Sequence, residues 1–186
     1  MLGYREEVTG VFAVQLYDER ACRSIVGELK WSGAWTEARV SARVPGGFNP
    51  ATRADARSAS VLALRAESEI RREFDAKMEG VIKPLVRDVW RICLKQHSET
   101  HFVRYAEGNF YRPHSDTGIN RTDRHFTVLC YLNDDFEGGE TNFPELNYKV
   151  RPRRGKAIVF PAGYLHGAEP VLSGEKYVLV SWLIGP

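Results

Sequence analysis

The chain lacks most of what would announce a secreted, zinc-stapled or membrane protein. Its 186 residues include only three cysteines, Cys22, Cys93 and Cys130. The number is odd and no Cys-x-x-Cys pair occurs. That argues against a disulfide framework or a zinc ribbon, and leaves three structural thiols in a reducing cytoplasm as the expectation. No apolar run approaches the length of a membrane span. The N-terminal Met1-Leu2-Gly3-Tyr4-Arg5-Glu6-Glu7 carries acidic residues and no long apolar stretch, so a secretory signal is not expected. The formal net charge is +2, too small for bulk attraction to nucleic acid or a lipid surface. No repeat or low-complexity tract stands out. What is present is the composition of one globular domain, 43% hydrophobic and so able to build its own core.

Periodicity divides that domain. Val11 to Tyr17 reads as a strand, and Asp18 can cap a short helix running to about Lys30. Thr36 to Val44 reads as a second strand. Pro45-Gly46-Gly47-Phe48-Asn49-Pro50 then breaks regular structure, and a loop over Gly46 to Arg57 is a candidate lid. From about Leu64 to Leu94 apolar residues recur at three- and four-residue steps, including Ile70, Phe74, Met78, Ile82, Leu85 and Val89. This is a helical pattern whose stripe should cover one face of a sheet. Pro84 falls inside it and predicts a kink or two helices. Beyond His101 short β-like runs follow: His101–Tyr105, His125–Leu132, Gly139–Phe143, Ala157–Phe160 and Lys176–Leu183. Turn residues lie between them. Helices first and many short strands after indicates an α+β domain whose second half is a barrel or a two-sheet jelly roll.

Three places carry chemistry. In an extended segment residues two apart share a face, so His114 and Asp116 would project together. With His166, just after the strand ending at Phe160, they make the two-histidine, one-carboxylate set that leaves three positions open on a non-haem iron(II). The tripeptide alone reads more readily as a surface histidine beside a turn aspartate. Lys176, Val178, Val180 and Trp182 share one face of a strand that is apolar on both sides. A lysine there needs an anion, or must reach water at the strand mouth. His125, Thr127, Leu129 and Tyr131 share a face of another strand, where Thr127 and Tyr131 could offer hydroxyls to the same ligand or could simply favour β structure.

Taken together, these segments resemble the prolyl 4-hydroxylase-like branch of the 2-oxoglutarate, iron(II) oxygenases. The matching stretches are Tyr105-x-x-Gly108-x-x-Tyr111-x-x-His114-x-Asp116, Arg124-x-x-Thr127-x-x-x-Tyr131-Leu132 and Glu137-Gly138-Gly139-Glu140-Thr141-x-Phe143-Pro144. Gly155-x-Ala157-x-x-Phe160 and His166-x-x-x-Pro170-Val171-x-x-Gly174-x-Lys176-Tyr177 follow, ending at Trp182. The resemblance implies a double-stranded β-helix core (99–186) with helical support and lid segments before it (1–98), all in one domain. It implies iron(II) on His114, Asp116 and His166, with 2-oxoglutarate and O2 as cosubstrates and ascorbate as a candidate reductant. Lys176 would bind the distal carboxylate of 2-oxoglutarate, helped by Tyr131, Thr141, Thr127 and Tyr105. Tyr111, Arg124 and Trp182 match positions lining the substrate pocket.

The implied reaction couples oxidative decarboxylation of 2-oxoglutarate to hydroxylation of a C–H bond in a peptidyl residue, free amino acid or small metabolite. Asp116 stands where halogenating relatives carry a small residue, which favours hydroxylation. Lys176 and Trp182 stand where nucleic-acid demethylases resemble Arg-x-x-x-x-x-Arg, so no nucleic-acid substrate is expected, and no membrane. Thr117 to Asp123, a second candidate lid, lacks the Gly-Gly-Gln of collagen-type enzymes and leaves peptidyl proline open as the substrate. Two other readings stand beside this one. One is a cupin-like metal barrel acting without 2-oxoglutarate. The other is a non-catalytic binding module using the basic cluster Lys149, Arg151, Arg153 and Arg154.

Overall fold

The computed structural model describes residues 3–38, 40–44, 47–51, 55–118 and 121–185. Two antiparallel sheets dominate. The major sheet has the order Tyr4–Val8, Val11–Gln15, Lys156–Pro161, Arg124–Tyr131, Lys176–Ile184, His101–Tyr105, Ser60–Ala63 and Thr36–Glu37, with Gln96–His97 also pairing with Lys176–Ile184. The minor sheet runs Tyr148–Val150, Thr141–Phe143, His166–Ala168, Phe110–His114 and Arg57–Ser58. An apolar cluster that includes Tyr131, Ile158, Phe160 and Val178 from the major sheet and Phe143 and Val150 from the minor one joins their inner faces. This is the expected jelly roll.

The outer face of the major sheet carries the helices. Asp18 caps Glu19–Leu29, its Oδ1 accepting from the Ala21 amide at 2.7 Å. Cys22, Ile25 and Leu29 turn inward onto the sheet. The long helical pattern resolves into Glu69–Lys77 and Lys83–Trp90, joined by a π turn over Met78–Ile82. Pro84 explains the interruption, because it has no N–H to offer the Gly80 carbonyl. The amide of Lys83 instead reaches back five residues to the Met78 carbonyl. Phe74, Met78, Ile82, Leu85 and Val86 bury completely against Phe126, Val128, Cys130 and Leu179 of the sheet. Among the described residues no helix is long and apolar enough to cross a membrane.

Several expectations are corrected. Thr36 to Val44 is not one strand: Thr36–Glu37 joins the major sheet, while Val40–Val44 pairs with Gly47–Ala51 as a separate hairpin. The segment expected as a structure-breaking loop therefore contains a strand. Pro45, Gly46 and 52–54 of that region, and Ile119 and Asn120 of the second lid candidate, lie outside the described residues. The strand expected from Gly139 begins at Thr141, because Gly138 and Gly139 adopt positive φ of 73° and 65° and turn the chain first. Cys22 and Cys130 are buried, but Cys93 is exposed. The first half also gives more than helices. Its two N-terminal strands extend the major sheet, and Arg57–Ser58 extends the minor one.

Candidate metal centre and cosubstrate pocket

His114 ends the strand Phe110–His114 and sits opposite His166 in antiparallel register with His166–Ala168. The two imidazoles lie 4.4 Å apart, centroid to centroid. Gly167 permits this approach. A Cβ there would fall 2.6 Å from the Tyr111 carbonyl oxygen and 3.0 Å from the Pro113 nitrogen, too close for either strand to stay in place. Asp116 lies past the strand end in a bend, not in extended chain, and its amide donates to the Ala162 carbonyl at 2.9 Å. The side chains thus converge by a turn and not by the strand parity from which the pairing was expected.

Asp116 Oδ1 is 3.4 Å from His114 Nε2, and Oδ2 is 3.4 Å from His166 Nε2. One donor atom from each residue falls within 4.8 Å of the other two. The opposite ring nitrogens settle the tautomers. Nδ1 of His114 meets the Arg112 carbonyl at 2.9 Å, and Nδ1 of His166 meets the Tyr164 carbonyl at 2.9 Å. A carbonyl only accepts, so each Nδ1 carries the hydrogen and each Nε2 is free to be a ligand. Two lone pairs and a carboxylate then face one another, which is unfavourable unless a cation stands between them. Burial lowers the pKa of His114 and so disfavours a proton as that cation. Burial alone would raise the Asp116 carboxyl. Hydrogen bonding and positive charge at the His114 and His166 Nε2 positions, which need a proton or a metal ion between the groups, outweigh this and hold it well below the usual range. The donor set therefore fits a divalent metal. Thr127 donates to Asp116 Oδ2 at 2.7 Å.

These residues open into a cavity of about 410 Å³ between the sheets. At the end remote from solvent, Lys176 is 2% exposed and donates to the Gly139 carbonyl at 2.6 Å. Its ammonium lies 5.2 Å from the centroid of the Tyr105 ring and 5.5 Å from that of Tyr131. Among the described residues no carboxylate reaches ion-pair distance of it. Burial pushes its pKa down to about 7, with distant Glu140 pulling the other way. The Tyr131 and Thr141 hydroxyls share a 2.6 Å hydrogen bond beside it. Val103, Leu129, Val178 and Val180 line the walls. Tyr111 stacks on His114 with ring centroids 3.6 Å apart.

Of the sequence-derived site residues, the cavity gathers His114, Asp116, His166, Lys176, Tyr131, Thr141, Tyr105, Tyr111, Arg124 and Trp182. Thr127 is set apart: it shares the inner face of its strand but serves Asp116, outside the cavity lining. His125 is exposed and stands away from the cavity. The sequence reading missed His101, Arg57, Arg112 and Arg121, all of which line it. Arg57 comes from a segment paired across the sheet with Phe110 and Tyr111, a pairing that no local pattern announces.

A jelly roll holding a His-x-Asp pair and a later histidine at its open end is the architecture of a non-haem iron oxygenase. Comparison places it more closely. Residues 100–184, a little under half of the chain, match the model of the 2OG-Fe(II) oxygenase superfamily. The chain is 30% identical over 129 residues to prolyl 4-hydroxylase subunit alpha-1 of Gallus gallus, an alignment covering 59% of this chain and 25% of that protein. It spans about half or less of the length of the other similar curated relatives. Among solved structures, a Pseudomonas putida prolyl-4-hydroxylase shares the fold with a TM-score of 0.75 at 22% identity, over 95% of this chain and 93% of that one. A Trichoplax adhaerens prolyl hydroxylase, solved with a hypoxia inducible factor oxygen degradation domain peptide, gives 0.77 at 17% identity, over 94% and 83%. The superfamily implies iron(II), 2-oxoglutarate and O2.

Proposed function

We propose that this protein is an iron(II)- and 2-oxoglutarate-dependent dioxygenase that hydroxylates an unactivated C–H bond of a peptidyl residue. The observation that carries the reading is one cavity holding both a convergent imidazole–imidazole–carboxylate set and a buried lysine with no carboxylate of its own. His114, Asp116 and His166 would hold the iron on one face and leave the other open. Bound there with 2-oxoglutarate, iron supplies the activation of O2, coupled to decarboxylation of the cosubstrate to succinate.

The chain's own residues bind, orient and shield. The Lys176 ammonium would pair with the distal carboxylate of 2-oxoglutarate, replacing a lone carbonyl contact with a charge-assisted one. Tyr131 and Thr141 share one hydrogen bond, which leaves a hydroxyl hydrogen to donate to the same carboxylate. The valine and leucine walls keep water from the reacting atoms. Tyr111 fixes the plane of the His114 ring. A peptidyl substrate is supported by the name of the chicken relative, a prolyl 4-hydroxylase subunit, and by the peptide with which the Trichoplax prolyl hydroxylase was solved.

A cupin-like barrel without 2-oxoglutarate would leave Lys176 unexplained, since a buried amine beside one carbonyl is costly. The binding-module reading loses two of the four residues of its patch to ion pairs. Lys149 pairs with Glu169 at 3.1 Å, and Arg154 with Glu19 at 2.9 Å and Asp134 at 3.2 Å. The test is anaerobic titration of the iron(II) protein with 2-oxoglutarate. The visible charge-transfer band of the chelate should form, and Lys176→Ala should demand far more cosubstrate to form it. Iron binding with no band at any concentration would favour the cupin-like reading.

A further inference from the structure

We propose that the mouth of this cavity selects a substrate carrying a carboxylate beside the position to be hydroxylated. The proposal rests on the hydroxylase reading above and names the chemistry its substrate brings. Four arginines, Arg57, Arg112, Arg121 and Arg124, line the open side of the cavity. The chain as a whole is nearly balanced, with 26 basic and 24 acidic residues, so composition does not account for this clustering. Exposed arginines elsewhere, such as Arg20 and Arg91, also stand without an ion pair to the described residues. The half-buried ones find partners, Arg71 with Asp75, Arg104 with Glu175 and Arg154 with Glu19, whereas half-buried Arg57 and Arg124 do not. Among the described residues, none of the four at the mouth has a carboxylate within 4.0 Å.

Two of them are held ready. The Arg57 guanidinium lies 4.5 Å from the centroid of the Tyr111 ring, and that of Arg124 lies 3.4 Å from the centroid of Trp182. A guanidinium over an aromatic ring keeps its in-plane N–H fork free, and that fork matches a carboxylate. The Arg57–Tyr111 pair adjoins the candidate metal ligands, since Tyr111 stacks directly on His114, and the Arg124–Trp182 pair lines the same cavity. Two donors there are also buried without an acceptor, Nε of Arg57 and Nε1 of Trp182. Such donors are costly to leave unmet. The cosubstrate does not meet this demand. Its distal carboxylate is assigned to Lys176 and its other carboxylate to the metal, so the arginines call for a third.

The test uses the iron(II) protein with 2-oxoglutarate under anaerobic conditions. Fluorescein-labelled proline-centred peptides flanked by Glu, Gln or Lys are titrated by polarisation, and the chelate band is read in the same sample. The Glu peptide should bind about tenfold tighter than the Gln peptide and still tighter than the Lys peptide, with the margin shrinking as salt rises. Arg57→Glu and Arg121→Glu, at independent positions, should each invert the Glu-over-Lys order. N-Acetylglutamate and free glutamate are run as competitors. Displacement by these at concentrations matching the peptides would support carboxylate recognition with a free acid as its source. Equal or tighter binding of the Lys peptide to the unaltered protein would overturn the proposal, as would an unchanged order in both variants. If no chelate band forms while the charge preference persists, the hydroxylase reading fails and the anion-selective mouth stands. If the band forms without the preference, the reverse holds.

Discussion

The two faces of one strand make opposite use of the same sheet. Along Arg124–Tyr131, Phe126, Val128 and Cys130 turn outward under the helices and pack without a gap. Thr127, Leu129 and Tyr131 turn inward, toward a cavity of about 410 Å³ and the groups around it. Lys176–Ile184 divides in the same way, with Tyr177, Leu179 and Leu183 under the helices and Lys176, Val178, Val180 and Trp182 facing the cavity. The outer face is filled with carbon and supplies stability. The inner face keeps an amine, hydroxyls and imidazoles out of bulk water, and it spends stability to do so.

The sharpest way to break the contrast is at the metal centre. His166→Ala or Asp116→Ala should lower iron affinity and turnover by at least about a thousandfold, read by iron content after dialysis and by succinate formation. The fold should survive, because the change also removes a cluster of facing lone pairs. On the outer face the order reverses. Phe74→Ala should cost about 3–5 kcal/mol in urea denaturation while the surviving folded fraction binds iron normally. Val180→Ala, on the cavity wall, should cost about 1 kcal/mol or less in the same assay, since space already lies beside it.

Lys176 tests the inner face by pH. Its folded-state pKa of about 7 is below the ordinary 10.5, so the folded protein gives up a proton that the unfolded chain keeps. The burial penalty is fully present below pH 7 and fades as pH rises toward 10.5. Without cosubstrate, Lys176→Met should therefore be more stable than the parent by on the order of a few kcal/mol near pH 6.5. That advantage should shrink by pH 9.5. Paired urea titrations at the two pH values check this, and a constant difference would refute the assignment. The smallest effect is expected from Thr127→Val, which removes the donor to Asp116. Iron affinity should fall by about 10–100-fold with little change in the melting temperature.

How much of this could be read beforehand follows from the same division. Alternation with period two is a local property, so the inward faces of Lys176–Ile184 and Arg124–Tyr131 were legible, as was the helical stripe from Ile70 to Val89. The Asp18 cap and the interruption near Pro84 were legible for the same local reason. What escaped depended on the partner. Nothing near Arg57 says that it will pair beside Phe110 and Tyr111, fifty residues on. Thr36–Glu37 and Val40–Val44 look continuous until each finds a different neighbour. Thr127 was placed on the right face for the wrong contact, because parity gives direction and not distance. His114 and Asp116 meet through a bend held by Ala162, which their two-residue spacing does not encode.

Gly167 sets the gauge of the metal centre. The gap between the two imidazoles is fixed by how closely two strands can lie, and there a hydrogen occupies the place of a side chain. Replacing it with a methyl group would act like a shim driven between two jaws. The jaws would keep their teeth, His114 and His166, but would be forced apart. A residue with no functional group thus lets two candidate ligands stand side by side.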